Sequence, residues 1–337
     1  MKPFIIAEIG VNHDGNIRKA KELICVAKDS GANAVKFQTF IPEKLALPNT
    51  PKVNYQKIRD RGRSHFEMLK ALVLTYDEHI ELRNFCLEKN IEFMSTPYGL
   101  EELDFLNELG IEKIKIASAD IVDLPLHEAA SKTGKLSIVS TGMATRAEIL
   151  EVVSIYTAQS SPIVLMQCTS EYPSSIKNAN LLKLKFLQSL EVVATGYSDH
   201  TRDSKCALVA LGLGASYFEK HLTLRNSDPG PDHAASAEPN VFEEYVSSLH
   251  EGYDALGITE PLMTDQELEM RLVSRKSLHY RSSLPRNSKL EINDLVLTRP
   301  GTGLKWSEMD LVVGKKLLRA VNEGEMASIE DFELEVE

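Results

Sequence analysis

The chain has 337 residues, 43% of them apolar and 26% charged, and 49 acidic against 38 basic side chains leave a formal net charge of -11. This composition excludes disordered and fibrous classes, and the acidic balance argues against an obligate nucleic-acid or anionic-membrane partner, whose binding rests on a basic field. Four cysteines (Cys25, Cys86, Cys168 and Cys206) show no CxxC spacing, so neither a disulfide framework nor a thiolate metal site is expected.

The first apolar run, Phe4–Gly10, is too short for a signal peptide and contains Glu8. No run approaches the roughly 20 apolar residues of a membrane helix, and a cytoplasmic protein is expected. Phe4–Gly10 opens a series of short β-branched runs: Ala32–Thr39, Ile91–Thr96, Lys113–Ser118, Leu136–Gly142, Ile163–Thr169, Val192–His200 and Ser216–His221. Segments with helical spacing lie between most of them, among them Arg18–Ser30, Thr75–Asn90, Leu100–Leu109 and Ala144–Ser154. Strands alternating with helices over about 250 residues predict an α/β fold, a closed (β/α)8 TIM barrel rather than an open doubly wound sheet.

One stretch breaks the rhythm. Residues 42–74 carry Pro48, Pro51 and the charged run Lys57–Arg63, and a loop of that length reads as a lid or binding loop. After His221, Asp228-Pro229-Gly230-Pro231-Asp232-His233 predicts an irregular loop, and Val241–Gly257 a last barrel helix. Ile258–Met263 and the charged helix Thr264–Val273 read as a connector. Turns at Pro285–Ser288, Pro300–Gly303 and Asn322–Gly324 then mark a small, mostly β domain. The expected division is a barrel over 1–257, a linker over 258–279 and a small domain over 280–337.

Polar residues cluster where nearly every strand ends: Glu8, Lys36 with Gln38, Ser95-Thr96, Lys115 with Ser118 and Asp120, Ser140-Thr141, Thr169-Ser170, Ser198 to His200, and His221. In a barrel those ends meet on one face, where active sites lie. Helix capping explains Ser140-Thr141-Gly142, but not Lys36, Lys115, His200 and His221, so an anion site is expected. His200 and His221 end adjacent strands and are the metal candidates. Two imidazoles leave positions for water and a substrate oxygen, which suits activation of a carbonyl by Mn2+, Mg2+ or Co2+. Lys36 and Lys115 can hold a phosphate and a carboxylate together, and Glu8 and Asp120 are carboxylates for acid/base work or sugar hydroxyls.

Ala7-Glu8-Ile9-Gly10-Val11-Asn12-His13-Asp14-Gly15, Val35-Lys36-Phe37-Gln38-Thr39, Ser95-Thr96-Pro97, Lys115-Ile116-Ala117-Ser118, Ser140-Thr141-Gly142-Met143, Ser198-Asp199-His200-Thr201 and Glu219-Lys220-His221 occur in that order. Pro229-Gly230-Pro231-Asp232 and Arg299-Pro300-Gly301-Thr302-Gly303 follow. Together they resemble the sialic acid synthase family, the phosphoenolpyruvate-dependent nonulosonate synthases, over essentially the whole chain. The resemblance implies a barrel followed by an antifreeze-like (SAF) domain in a domain-swapped homodimer. It implies condensation of phosphoenolpyruvate with the open-chain aldehyde of an N-acetylmannosamine-type sugar, releasing phosphate.

By the same resemblance, Lys36, Thr96, Lys115, Ser118, Ser140 and Ser198 would hold phosphoenolpyruvate, and His200 and His221 a divalent metal. Glu8 would stand near the reacting centre, and Gln38, Tyr172 and Asp232 would contact the sugar. Arg299 would reach the partner subunit's site and hold the N-acyl group. Two departures stand out: Ala117-Ser118-Ala119-Asp120 where many members have Gly-Ser-Gly-Glu, and Ser170 where some have Asn. Both suit a different acceptor, such as a 2,4-diacetamido-6-deoxy sugar leading to legionaminic acid. An aldose phosphate acceptor would want a second basic cluster, which the chain lacks, and a purely carbohydrate-binding protein would have no use for the ring of cations and hydroxyls.

Overall fold

The computed structural model describes residues 1–52 and 64–333; the charged run Lys57–Arg63 and residues 334–337 lie outside the described residues. The chain divides into two compact units, Met1–Gly257 and Ile258–Glu337. In the first, eight parallel strands follow one another around a barrel: β1 Phe4–Gly10, β2 Ala34–Thr39, β3 Glu92–Pro97, β4 Lys113–Ile116, β5 Leu136–Ser140, β6 Ile163–Cys168, β7 Ala194–Asp199 and β8 Tyr217–His221. Their hydrogen-bonded order is β3-β2-β1-β8-β7-β6-β5-β4. The end strands β3 and β4 also meet, so the barrel is nearly closed.

Helices form where the sequence supplies caps and a stripe. In Ile17–Asp29 the Asn16 side chain accepts from the amides of Arg18 and Lys19, and Ala20, Leu23, Ile24 and Ala27 make the buried stripe. Ser64 with Glu67, Thr75 with Glu78 and Thr145 with Glu148 form reciprocal capping boxes at the starts of His65–Leu72, Tyr76–Lys89 and Arg146–Ala158. Stretch 42–74 is therefore not structureless. Pro42–Leu45 and His65–Leu72 are helical, and Val11, Phe40, Ala46, Met68, Leu69 and Leu72 bury one another in a small cluster.

The period of two along each strand sorts the barrel into an outside and an inside. Outward residues such as Ile5, Ala7, Val35, Phe37, Val139, Leu165, Tyr197 and Phe218 join the main core with the helices. Inward, Ile6, Ala34, Met94, Ile138, Val164 and Met166 pack into an apolar floor. Two residues further along the same face, the chain turns polar: Ile6 gives way to Glu8, Ala34 to Lys36, Met94 to Thr96 and Ile138 to Ser140. The floor therefore sets the depth at which the polar ends stand.

The second unit begins with helix Asp265–Ser274, started by a Thr264–Glu267 capping box. An antiparallel pair, β9 Ser277–Tyr280 with β10 Leu295–Thr298, is followed by turns and single bridges. β9 starts inside the stretch expected to be linker, because Leu278 and Tyr280 belong to this unit's core with Leu290, Val312, Val321 and Phe332. The Tyr280 hydroxyl donates to Asp331 Oδ2 at 2.9 Å, and Arg319 Nε donates to Asp331 Oδ1 at 2.6 Å. Among the described residues no helix is long and apolar enough to cross a membrane.

Candidate active site

A cleft of about 970 Å³ opens over the C-terminal ends of the strands. Lys36, Gln38, Thr96, Lys115, Ser118, Ser140, Ser170, Tyr172, Ser198, His200, His221, Glu8 and Asp232 all line it. Register explains their convergence: Glu8 lies opposite Lys36 on one side and His221 on the other, and Gln38 lies opposite Thr96.

The floor of the cleft is a buried charge network. Lys36 Nζ is 2.6 Å from Glu8 Oε2 and 3.6 Å from Glu219 Oε2, and donates to Thr96 Oγ1 at 2.9 Å. Lys115 Nζ donates to Ser140 Oγ at 2.7 Å and to the Ile116 carbonyl at 3.0 Å, and stands 3.9 Å from Glu219 Oε1. Ser198 Oγ donates to that same Glu219 oxygen at 3.0 Å. Burial would raise the Glu219 carboxyl, but Lys115 and Lys36 outweigh it and hold the group down to about 2. Glu8 goes the other way: burial, reinforced by Glu219, lifts it to about 7 against the pull of Lys36. The two carboxylates thus divide the work, one permanently charged and one able to exchange a proton near neutrality. Burial lowers Lys115, which Glu219 offsets only in part.

On the facing wall, Ser118 Oγ accepts from the Gly142 amide at 3.0 Å. Gly142 has no room for a side chain. A Cβ there would stand 2.5 Å from Ser170 Oγ and 2.8 Å from Ser118 Oγ, so glycine is what lets the two hydroxyls approach the backbone.

His200 and His221 come together as expected, with ring centroids 5.4 Å apart. Tyr172 packs on both, 4.1 Å from the first and edge-on at 5.8 Å from the second. His200 Nδ1 donates to the Thr169 carbonyl at 2.8 Å, which in the neutral ring leaves the lone pair on Nε2. His221 Nδ1 is buried without a hydrogen-bond partner among the described residues, 4.0 Å from Asp232 Oδ2. Burial, with His200 beside it, holds His221 well below the ordinary imidazole range and therefore neutral. Burial also lowers His200, but adjacent Cys168 outweighs it and lifts the ring to about 8, so a divalent cation held there would have to displace that proton. An oriented imidazole and an orphaned one fit a divalent metal.

Asp120 differs from the other expected barrel residues: it follows the lining residues Ser118 and Ala119 at the margin of the cleft, and its charge acts on Tyr98. It lies on the 3-10 turn Ser118–Val122, where the two-residue alternation of β4 no longer holds. Its Oδ2 is buried without a partner among the described residues, and burial, with Asp123 nearby, raises the carboxyl to about 6. Arg299 belongs to the second unit, where it is exposed just after β10.

Sequence reasoning passed over Glu219, Tyr98, Cys168 and an apolar wall made by Val11, Phe40, Leu45, Met68, Leu69 and Leu72, all of which line the same cleft. For Glu219 the signal was present: it precedes His221 by two residues on β8 and so shares its inward face.

Residues 23–260 match the NeuB family, and residues 275–333 match the SAF domain. The chain belongs to the NeuB family. Among NeuB-family relatives it is 40% identical to the N,N'-diacetyllegionaminic acid synthase of Legionella pneumophila, over 96% of this chain and 93% of that protein. It is 36% identical to the N,N'-diacetyllegionaminic acid synthase of Campylobacter jejuni, over 96% and 98%. The crystal structure of the N-acetylneuraminic acid (sialic acid) synthetase of Leptospira borgpetersenii superposes with a TM-score of 0.70 at 33% identity, over 80% of this chain and 90% of that one. The barrel is the one the strand rhythm predicts, and the SAF domain that follows it is the one the resemblance implies.

Proposed function

We propose that this chain is a C–C bond-forming transferase that condenses phosphoenolpyruvate with the open-chain aldehyde of an N-acylated mannosamine-type sugar, giving a nonulosonic acid and phosphate. The observation that carries this is the ring of buried cations and hydroxyls facing two histidines across one cleft. Lys36, Thr96, Lys115, Ser118, Ser140 and Ser198 hold the phosphate and carboxylate of phosphoenolpyruvate. Glu219, ionised between both lysines, favours their charged forms. Gln38, Tyr172 and Asp232 face the sugar. A divalent cation held by His200 and His221 would supply Lewis-acid polarisation of the aldehyde.

The steps follow from these positions. The enol carbon bonds to the aldehyde carbon, whose oxygen becomes an alkoxide that takes up the proton later shed by the attacking water, and the cationic carbon left behind still bears the phosphate ester. Water adds to that carbon, and its proton passes to Glu8, the group near neutrality within the network. The tetrahedral product loses phosphate by C–O cleavage. Four free cysteines suit a reducing, cytoplasmic setting.

A specific observation favours the 2,4-diacetamido-2,4,6-trideoxymannose acceptor over N-acetylmannosamine. The wall of Val11, Phe40, Met68, Leu69 and Leu72 is apolar and suits a C6 methyl, with Thr50 and His65 as the polar lining residues on that stretch of the chain. Apolar walls discriminate modestly against an added hydroxyl, so kcat/KM is expected to favour the deoxy acceptor by about 10- to 100-fold. Phosphate release with each acceptor, at fixed phosphoenolpyruvate and Mn2+, checks this. A preference for N-acetylmannosamine would return the assignment to the sialic acid branch.

Arg299, in this reading, completes the acceptor site of a second copy in a domain-swapped homodimer, its fixed donors gripping an acyl oxygen. Co-folding the Arg299→Ala and Lys115→Ala proteins is expected to restore part of the activity that each lacks alone, since one mixed site then has both residues. No recovery, with subunit exchange verified by mass, would contradict the swap.

A further inference from the structure

Asp232 reaches the cleft on the loop that follows β8, and what anchors that loop lies outside the cleft. His233, the next residue, is 0% exposed, and both its nitrogens are engaged. Nδ1 is 2.6 Å from Thr223 Oγ1, and Nε2 is 3.0 Å from Asp14 Oδ1. A carboxylate only accepts, so Nε2 is the donor. Asp14 Oδ2 accepts from Lys19 Nζ at 2.7 Å, and Lys19 Nζ also donates to Asp228 Oδ2 at 2.7 Å. One point of the loop, His233, is thereby fastened to Asp14 in the turn after β1, and another, Asp228, to Lys19 on the helix Ile17–Asp29 that follows.

The backbone fits these fastenings closely. A Cβ on Gly230 (φ +152°) would stand 2.7 Å from His233 Cδ2 and 3.1 Å from Asp14 Oδ1. On the other side of Asp232, its carbonyl accepts from Ser236 Oγ at 2.7 Å. Asp14, Asp228 and His233 have ligand atoms within 4.8 Å of one another, the spacing of a cation site. The Lys19 ammonium already lies against both carboxylates, so the cluster reads as a latch and not as a metal centre.

We propose that Asp14 and His233, braced by Lys19, are positioning residues that set the Asp232 carboxylate at the acceptor side of the cleft while touching neither substrate. The inference rests on the amino-sugar synthase reading above. Displacing a group that orients a substrate by about 1 Å can cost on the order of 100-fold in rate. Asp14 has φ 54°, a conformation that Asn shares readily and Ala does not. Asn also keeps an oxygen for His233.

The test combines kinetics with hydrogen exchange. Asp14→Ala is expected to lower kcat/KM for the acceptor by about 10- to 100-fold while KM for phosphoenolpyruvate stays within about twofold. Asp14→Asn is expected to recover most of that loss. In an Asp232→Ala background the further change Asp14→Ala should cost less than about twofold, because the latch acts through the missing carboxylate. A similar loss in both backgrounds, or parallel damage to both substrates, overturns the proposal.

Amide exchange over residues 226–237 is expected to quicken at least about tenfold in Asp14→Ala, with the barrel strands unchanged. Unchanged exchange in that loop overturns the latch whether or not the protein turns over sugar. Absence of turnover in the parent protein would instead strike the synthase reading. Should Asp14→Ala fail to fold, Lys19→Met gives the same two readouts.

Discussion

Replacing Lys115 by alanine is expected to lower kcat/KM for phosphoenolpyruvate at least about 1,000-fold, a loss of roughly 4 kcal/mol of transition-state stabilisation. Lys115 is 2% exposed, so its charge acts on the bound anion with little screening by water. Its removal takes away one of the two buried cations facing the anion and a donor to Ser140. It also leaves the Glu219 carboxylate with Lys36 at 3.6 Å as its remaining close cation, and an anion entering the site would meet that negative charge. Steady-state kinetics with phosphoenolpyruvate varied at saturating acceptor reads the effect, and a thermal melt separates it from unfolding. A value of kcat/KM within about tenfold of the parent, a loss of no more than about 1.4 kcal/mol, would mean that the phosphoenolpyruvate anion is held elsewhere.

Glu8 sets the second large effect. Burial lifts its carboxyl to about 7, so the protonated form dominates below that pH and the carboxylate above it. A base that accepts a proton from water works only as the carboxylate. Activity is therefore expected to rise about tenfold per pH unit on the acid side and to level off above about pH 7. Glu8→Gln removes the base but keeps an oxygen to accept from Gln38, which now donates to Glu8 Oε1 at 3.0 Å. That protein is expected to lose about 100- to 10,000-fold in kcat and to lack the acid limb of the profile. A pH profile of the same shape in Glu8→Gln would assign the titration to another group.

The sequence made the barrel and most of its mouth legible because one rule governs both. Alternation along a strand places every second residue inside, so Lys36, Thr96, Ser140 and Ser198 could be read off the ends of their runs. Asp120 follows from no such alternation: the expectation rests on its place just beyond the strand end, and there the chain turns through the 3-10 segment Ser118–Val122. Glu219 escaped for a different reason. A carboxylate beside a lysine and a histidine looks like a surface ion pair until the fold shows Lys36 and Lys115 converging on it from β2 and β4. The apolar wall was least legible of all. Phe40, Met68 and Leu72 sit in the long β2–β3 connection, and nothing local distinguishes a hydrophobic residue that packs under a loop from one that lines a cleft.

The central claim is that the buried cation ring and the two histidines serve a single condensation. It is tested most directly by incubating the protein with phosphoenolpyruvate, 2,4-diacetamido-2,4,6-trideoxymannose and Mn2+, following phosphate and weighing the product by mass spectrometry. We expect one phosphate per nine-carbon acid carrying the three carbons of phosphoenolpyruvate, and none when sugar, phosphoenolpyruvate or metal is omitted. Phosphate released at the same rate without sugar, or a sugar product that still carries the phosphate, would contradict the account.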